Sequence, residues 1–186
     1  LPAISPQLDD FLFASRGTAG LVIDLRGNPG GVVGMLAGVS GHMLDTAIAL
    51  GVMYGRGATI RFVANPRPVD RTGTRVGVYS GPLAILVDEF TGSTSEFFAA
   101  GMQAIGRARI FGTVSAGQSL PALMSRLPNG DMLMHAIADH EDAAGRRVEG
   151  AGVRPDELVP LRRVDLRAGG DAPLEAARAW LAMQHP

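Results

Sequence analysis

The sequence predicts an α/β fold, a mixed sheet built around a strand-helix-strand crossover. Three observations carry that expectation. Two short, nearly unbroken apolar runs, Gly20 to Leu25 and Leu83 to Asp88, have the composition of strands in a parallel sheet. Each ends in a turn cluster, and the second is followed within a few residues by apolar positions at helical spacing. The 25 glycines and 12 prolines gather between the apolar runs, which suits short elements joined by tight turns better than a helical bundle.

Taken in order, Gln7 to Arg16 places Leu8, Phe11 and Leu12 on one helical face, with Asp9 and Asp10 expected in the first turn where carboxylates suit the helix dipole. Gly20 to Leu25 reads as a strand buried on both faces, ended by Arg26-Gly27-Asn28-Pro29-Gly30-Gly31. Val32 to about Leu50 is rich in small residues and weakly periodic, and is expected to be helical in part. Gly55 to Pro82 reads as an extension with one strand-like run, Thr59 to Val63. Leu83 to Asp88 is the second buried strand, Ser93 to Gly106 a helix with Phe97, Phe98, Met102 and Ile105 on one side, and Arg109 to Gly112 the strand that completes a right-handed β-α-β unit. Beyond it, Leu123 to Leu127 and Asp131 to Ile137 flank Pro128-Asn129-Gly130, a hairpin signal, with a second turn at Ala143 to Gly145. Pro173 to Met183, preceded by Asp171, is a closing amphipathic helix.

Composition bounds the chemistry. With 46% hydrophobic and 19% charged residues, the 186-residue chain is expected to form a single domain over residues 1–186. All 17 basic residues are arginine, so no lysine can act as a base or form a Schiff base. The net charge of −1 gives no electrostatic case for nucleic acid, although Arg56, Arg61, Arg67, Arg71 and Arg75 against Asp70 make a local basic stretch, read as a solvated extension. Zero cysteine removes disulfides and thiolate chemistry and leaves the compartment open. No apolar run approaches the ~18 residues of a membrane span. Leu1-Pro2-Ala3-Ile4 is neither a basic leader nor a signal core, and without an initiator Met the chain is expected to be a fragment of a longer protein.

Two turns at the C-terminal ends of the predicted strands can carry chemistry, because ligand sites in α/β sheets favour that edge. Gly27-Asn28-Pro29-Gly30-Gly31 offers backbone N–H groups able to hold an anion, or is simply a tight strand-to-helix turn. In the second, Ser93 starts a helix directly after a strand, where a nucleophile gains from the dipole and from neighbouring N–H donors. Ser93 and Glu96 are also spaced as a capping box, a purely structural alternative. The turn is not a G-x-S-x-G elbow.

The stretches Leu21-Val22-Ile23-Asp24-Leu25-Arg26-Gly27-Asn28-Pro29-Gly30-Gly31 and Leu86-Val87-Asp88-Glu89-Phe90-Thr91-Gly92-Ser93-Thr94-Ser95-Glu96 resemble the C-terminal processing (tail-specific) serine peptidases and the related tricorn core. Gly112 to Gly117 and Glu149-Gly150-Ala151-Gly152-Val153-Arg154-Pro155-Asp156 resemble the same family in the same order, and the resemblance runs from about residue 5 to residue 183. It implies a ClpP/crotonase-like peptidase core carrying a C-terminal hairpin and helix, without the upstream PDZ-like module usual in the family. It further implies Ser93 as nucleophile, with the amide of Thr94 and an amide of Gly30 or Gly31 as the oxyanion hole, a polypeptide substrate, no cofactor or metal, and an exported, periplasmic-type location. A homo-oligomer is compatible with it.

The departure is at Ala116-Gly117-Gln118-Ser119, where the tail-specific branch has a lysine base and this chain has Gln118, which cannot take a proton at ordinary pH. The tricorn-like branch uses serine, histidine and glutamate instead. Glu149 matches the position of that glutamate by its motif, as an orienting carboxylate, and the histidine is expected on a segment before Leu1. His42, His135, His140 and His185 have no family motif around them and read as surface or packing residues. A rival from another class is a non-catalytic peptide- or small-ligand-binding module on the same fold, as in the retinoid-binding modules that resemble this core; a scaffold subunit is not separable from it by sequence.

Overall fold

The computed structural model describes residues 5–184, so His185 lies outside the described residues. In chain order these form α1 (Ser5–Ala14), β1 (Leu21–Asp24), α2 (Val33–Ser40), β2 (Ile48–Gly55), β3 (Thr59–Ala64), β4 (Leu83–Val87), α3 (Thr94–Ala104) and β5 (Arg109–Gly112). Then come β6 (Ala122–Arg126), β7 (Met132–Ala136), β8 (Ala138–Asp142), β9 (Glu157–Leu158), α4 (Arg163–Arg167) and α5 (Ala172–Met183).

The expected α/β architecture with its β-α-β unit is present. Strands β1, β4, β5 and β9 form one sheet in the order β1-β4-β5-β9, every pair parallel. Every residue of β4 is buried, and its side chains alternate between two cores as the pleat requires. Leu83, Ile85 and Val87 meet Phe97 and Met102 of α3, while Ala84 and Leu86 meet Phe111, Ala177 and Leu181 on the α5 side. Strand β1 differs from expectation: among the described residues it stands at one edge of the sheet, and only its first residue is fully buried. Apolar composition cannot distinguish a central strand from an edge strand beside an apolar groove.

A second sheet, antiparallel in the order β3-β2-β8, packs on the other side of α3. The sequence reading missed β2, which lies in a stretch expected to be partly helical, because Ile48-Ala49-Leu50-Gly51-Val52 does not alternate. His140, read as a surface or packing residue, is a packing one: it sits wholly buried on β8, stacked on Phe97. The hairpin β6-β7 forms around the Asn-Gly turn as expected, with Gly130 at φ 93° and Leu127 N–H donating to Asp131 O. It makes its own two-stranded sheet ahead of β8.

Helix α1 starts at Ser5, so Asp9 and Asp10 fall beyond its first turn and serve ion pairs instead of the dipole. Asp9 is bidentate with Arg67 (3.0 and 3.1 Å) and lies 3.0 Å from His42 Nε2, and Asp10 pairs with Arg71 at 3.2 Å. Burial pushes the Asp9 carboxyl up, but the bonds from His42 and Arg67 outweigh it and hold it below the usual range. Burial likewise holds the His42 imidazole below its ordinary value. Two arginines of the basic stretch thus tie α1 down.

Candidate active site

The turns that follow β1 and β4 are stitched together at the C-terminal edge of the parallel sheet. Asp88 Oδ1 accepts from Gly27 N–H at 2.9 Å, and Thr91 Oγ1 donates to Leu25 O at 2.9 Å. Gly92 N–H donates to Asn28 O at 3.0 Å, and Thr94 Oγ1 donates to Gly31 O at 2.8 Å. Gly30, at φ 101°, packs so closely that a Cβ there would lie 2.6 Å from Ser93 Cβ and 2.8 Å from Thr94 N. Only glycine fits that approach.

Ser93 is the one non-glycine residue with positive φ among the described residues, at φ 50° and ψ −122°. This lies outside the regions open to L-residues and costs about 1–3 kcal/mol. Ser93 and Glu96 form the capping box that their spacing suggests, with Glu96 Oε2 accepting from Ser93 N–H at 3.0 Å.

Glu96 is the residue whose importance the sequence reading missed. Fully buried, it accepts from Gly117 N–H (2.7 Å), Gln118 N–H (2.9 Å) and Ser115 Oγ (2.5 Å) as well as from Ser93. Ser115 Oγ in turn accepts from Val153 N–H at 2.6 Å. One carboxylate thus fixes three segments that meet at Ser93. The Ser-x-x-Glu spacing gave the only signal, and it pointed to a cap.

The N–H groups of Thr94 and Gly31 donate to no partner among the described residues. Gly30 N–H does, to Asn28 Oδ1 at 3.0 Å, so of the two candidate glycine amides Gly31 is the free one. An apolar groove of about 550 Å³ opens beside them, between α1 and α2. Gln118 O accepts from Ser93 N–H at 3.0 Å, which places Gln118 beside Ser93 with its side chain exposed. Glu149 Oε2 accepts from the N–H groups of Ser119 (2.7 Å) and Leu120 (3.1 Å), and Glu149 Oε1 has no partner among the described residues.

The three described histidines are elsewhere engaged: His42 on Asp9, His135 on Ser125 in the exposed hairpin, His140 in the core. Arg26 braces the first turn, bonded through its guanidinium to Asp24 (2.9 and 2.7 Å) and Asp171 (2.8 and 2.8 Å). Those carboxylates raise the Arg26 pKa further and Arg26 lowers that of Asp171. No described helix is long and apolar enough to cross a membrane, and no group of three or more described His, Asp or Glu side chains could hold a metal.

Comparison with known proteins places this arrangement. A carboxyl-terminal-processing protease of Picosynechococcus sp. is 29% identical over 147 residues, covering 78% of this chain and 33% of that protein. The chain therefore spans about a third of the length of this curated relative. Among solved structures, a photosystem II D1 C-terminal processing protease superposes with a TM-score of 0.67 at 25% identity, covering 92% of this chain and 44% of that one. The tricorn protease superposes with a TM-score of 0.65 at 20% identity over 95% of this chain and 16% of its own, a likeness of fold. The model of peptidase family S41 matches residues 4–159, which take in both stitched turns, Ser93, Glu96, Gln118 and Glu149. By that match the chain belongs to peptidase family S41.

Proposed function

We propose that this chain is the core of a serine endopeptidase in which Ser93 is the nucleophile and the N–H groups of Thr94 and Gly31 bind the oxyanion. The observation that carries the reading is the strained backbone of Ser93 at the start of α3, beside two amides without a partner among the described residues. Strain of this kind persists where it serves a reaction. The Ser93 hydroxyl gives its proton to a general base as Oγ adds to the scissile carbonyl carbon, the carbonyl oxygen takes the charge between the two amides, the protonated base hands that proton to the departing amine, and the ester left on Ser93 is cleaved by water. Each oxyanion donor contributes on the order of 10²–10³ in rate. The polypeptide substrate places an apolar side chain in the mouth of the groove.

The general base comes from outside this chain, as a histidine oriented by Glu149 Oε1. Support for this lies in the absence of lysine, the amide character of Gln118, and the engagement of the three described histidines elsewhere. Gln118 acts as a neutral hydrogen-bonding residue. Base catalysis contributes about 10²–10⁴, so the isolated chain is a poor peptidase.

The test treats this chain, and a longer protein carrying it, with a fluorophosphonate probe and an unstructured peptide. The expected result is Ser93-dependent labelling and turnover in the longer protein, lost in Ser93→Ala, with little turnover by the chain alone. Strong labelling of the chain, undiminished when His42, His135 and His140 are replaced, would refute the external base. A longer protein that never labels would favour a binding module on the same fold.

A further inference from the structure

Strand β6 leads away from Ser93 with one edge open. Gln118, whose carbonyl accepts from Ser93 N–H, is followed four residues later by Ala122, where β6 begins. At ~3.3 Å per residue, Met124 in the middle of the strand lies within about 20 Å of Gln118. Among the described residues β6 pairs only with β7, in a sheet of two strands. The bonds from Leu127 N–H to Asp131 O and from Ile137 N–H to Pro121 O set the phase of that ladder. Facing residues in an antiparallel pair exchange hydrogen bonds at every second position. Leu123 and Ser125 therefore turn their backbone groups to β7, while Ala122, Met124 and Arg126 turn theirs outward, where they have no partner among the described residues.

The side chains around this edge are apolar on both faces of the ribbon. Met124, 58% exposed, stands opposite Met134, 70% exposed, with Met132 on the same face and Leu123 and Leu133 on the other. A two-stranded ribbon this exposed is marginal in water and gains from a third strand, and an open apolar edge is a template for one. Outward N–H and C=O groups alternating along a strand are matched by one chemistry, another extended backbone. Methionine adapts to whatever side chains that backbone carries. An occupant of the edge is also continuous with the site, because β6 extends the segment bonded to Ser93. We infer that the outer edge of β6 takes the polypeptide substrate as an added strand, about four to eight residues from the scissile bond, and favours uncharged, apolar side chains there. The inference rests on the peptidase reading for what is bound, while the pairing itself needs no reaction at Ser93.

The experiment measures, by fluorescence anisotropy, the binding of a labelled, uncharged apolar peptide of about twelve residues to the purified chain carrying Ser93→Ala, which removes the nucleophile. Binding is expected to be one to one with a Kd on the order of 10–100 µM. The same peptide N-methylated at each of its central residues lacks the N–H groups an added strand must donate, and should bind at least tenfold more weakly. Met124→Pro removes an outward N–H and spares the ladder to β7, since proline is accepted where an edge N–H faces solvent; it should weaken the unmodified peptide at least tenfold. Met134→Pro, its counterpart on the outer edge of β7, should leave binding unchanged. In the longer protein, Met124→Pro should raise the KM for a substrate of about twelve residues at least tenfold, and leave kcat and the KM for one of about four residues as they are. No saturable binding, binding unmoved by N-methylation and by Met124→Pro, or loss of binding with Met134→Pro instead would overturn the assignment. So would a chain that sediments as a dimer and becomes a monomer with Met124→Pro, since the edge would then belong to a second copy. A longer protein that turns over no peptide at all refutes the peptidase reading, and the anisotropy result alone then decides whether β6 is a polypeptide-binding edge.

Discussion

Ser93 can hold φ 50° only because its surroundings hold it there, and Glu96 is the centre of that support. Its carboxylate meets four donors, from Ser93, Ser115, Gly117 and Gln118. In Glu96→Gln the side chain keeps one acceptor oxygen and turns an NH₂ toward N–H groups that need acceptors. Each buried donor left unsatisfied costs about 1–3 kcal/mol. The variant is expected to lose roughly 3 kcal/mol in urea denaturation, and in the longer protein to label with the fluorophosphonate at least tenfold more slowly. A variant as stable and as reactive as the parent would show that Glu96 is not what holds Ser93. The sequence displayed Ser93 and Glu96 together but not which contact each makes, because Ser115, Gly117 and Gln118 reach Glu96 only through the fold.

Among the elements, the two strand-ending turns matter most, and Gly30 is where they touch. Gly30→Ala would set a Cβ 2.6 Å from Ser93 Cβ and 2.8 Å from Gly92 O, in a backbone at φ 101°. Neither the neighbouring backbone nor the strained serine can retreat cheaply. The expected loss is on the order of 2–4 kcal/mol, with labelling of Ser93 abolished in the longer protein. Gly34→Ala in α2, where nothing lies within 4 Å, is the control and should stabilise by about 0.5–1 kcal/mol. Thermal unfolding of the two variants side by side decides the matter, and a Gly30→Ala protein no less stable than Gly34→Ala would contradict the close packing of the turns. Elements with strong local signals, α3, β4, β5, the hairpin and α5, are found where the sequence puts them. Strands β2 and β8 were not legible, because pairing with each other's backbone, and not their own periodicity, makes them strands.

At the scale of the whole molecule, α3 lies between two sheets and the cost of that arrangement falls on His140. Burial holds its pKa down at about 4, with the Asp142 and Asp139 carboxylates offsetting burial only in part. Neither ring nitrogen has a hydrogen-bond partner among the described residues. As the folded value lies below the ordinary 6.5, the unfolded chain takes up the proton first on acidification. The stability associated with a neutral His140 is complete above pH 6.5 and is lost as pH falls from 6.5 toward 4, by at most about 3 kcal/mol. Urea denaturation at pH 7, 5.5 and 4.5 should show a shallower pH dependence for His140→Leu than for the parent, with the variant no less stable at pH 5. Parallel pH curves would mean that another group carries the acid sensitivity. The sequence by itself determined the chemistry that is excluded, through its lack of lysine and cysteine, the β-α-β unit, and the family to which the two turns belong. These follow from residue identity and from periodicity over a few neighbours, which are local properties of the chain. Among the described residues, tertiary structure alone decided that β1 stands at the sheet edge, that Gly31 and not Gly30 keeps an N–H without a partner, that Glu96 joins three segments, and that His140 is core. Each of those depends on which distant backbone group lies within about 3 Å, the reach of a hydrogen bond, and no local pattern encodes that.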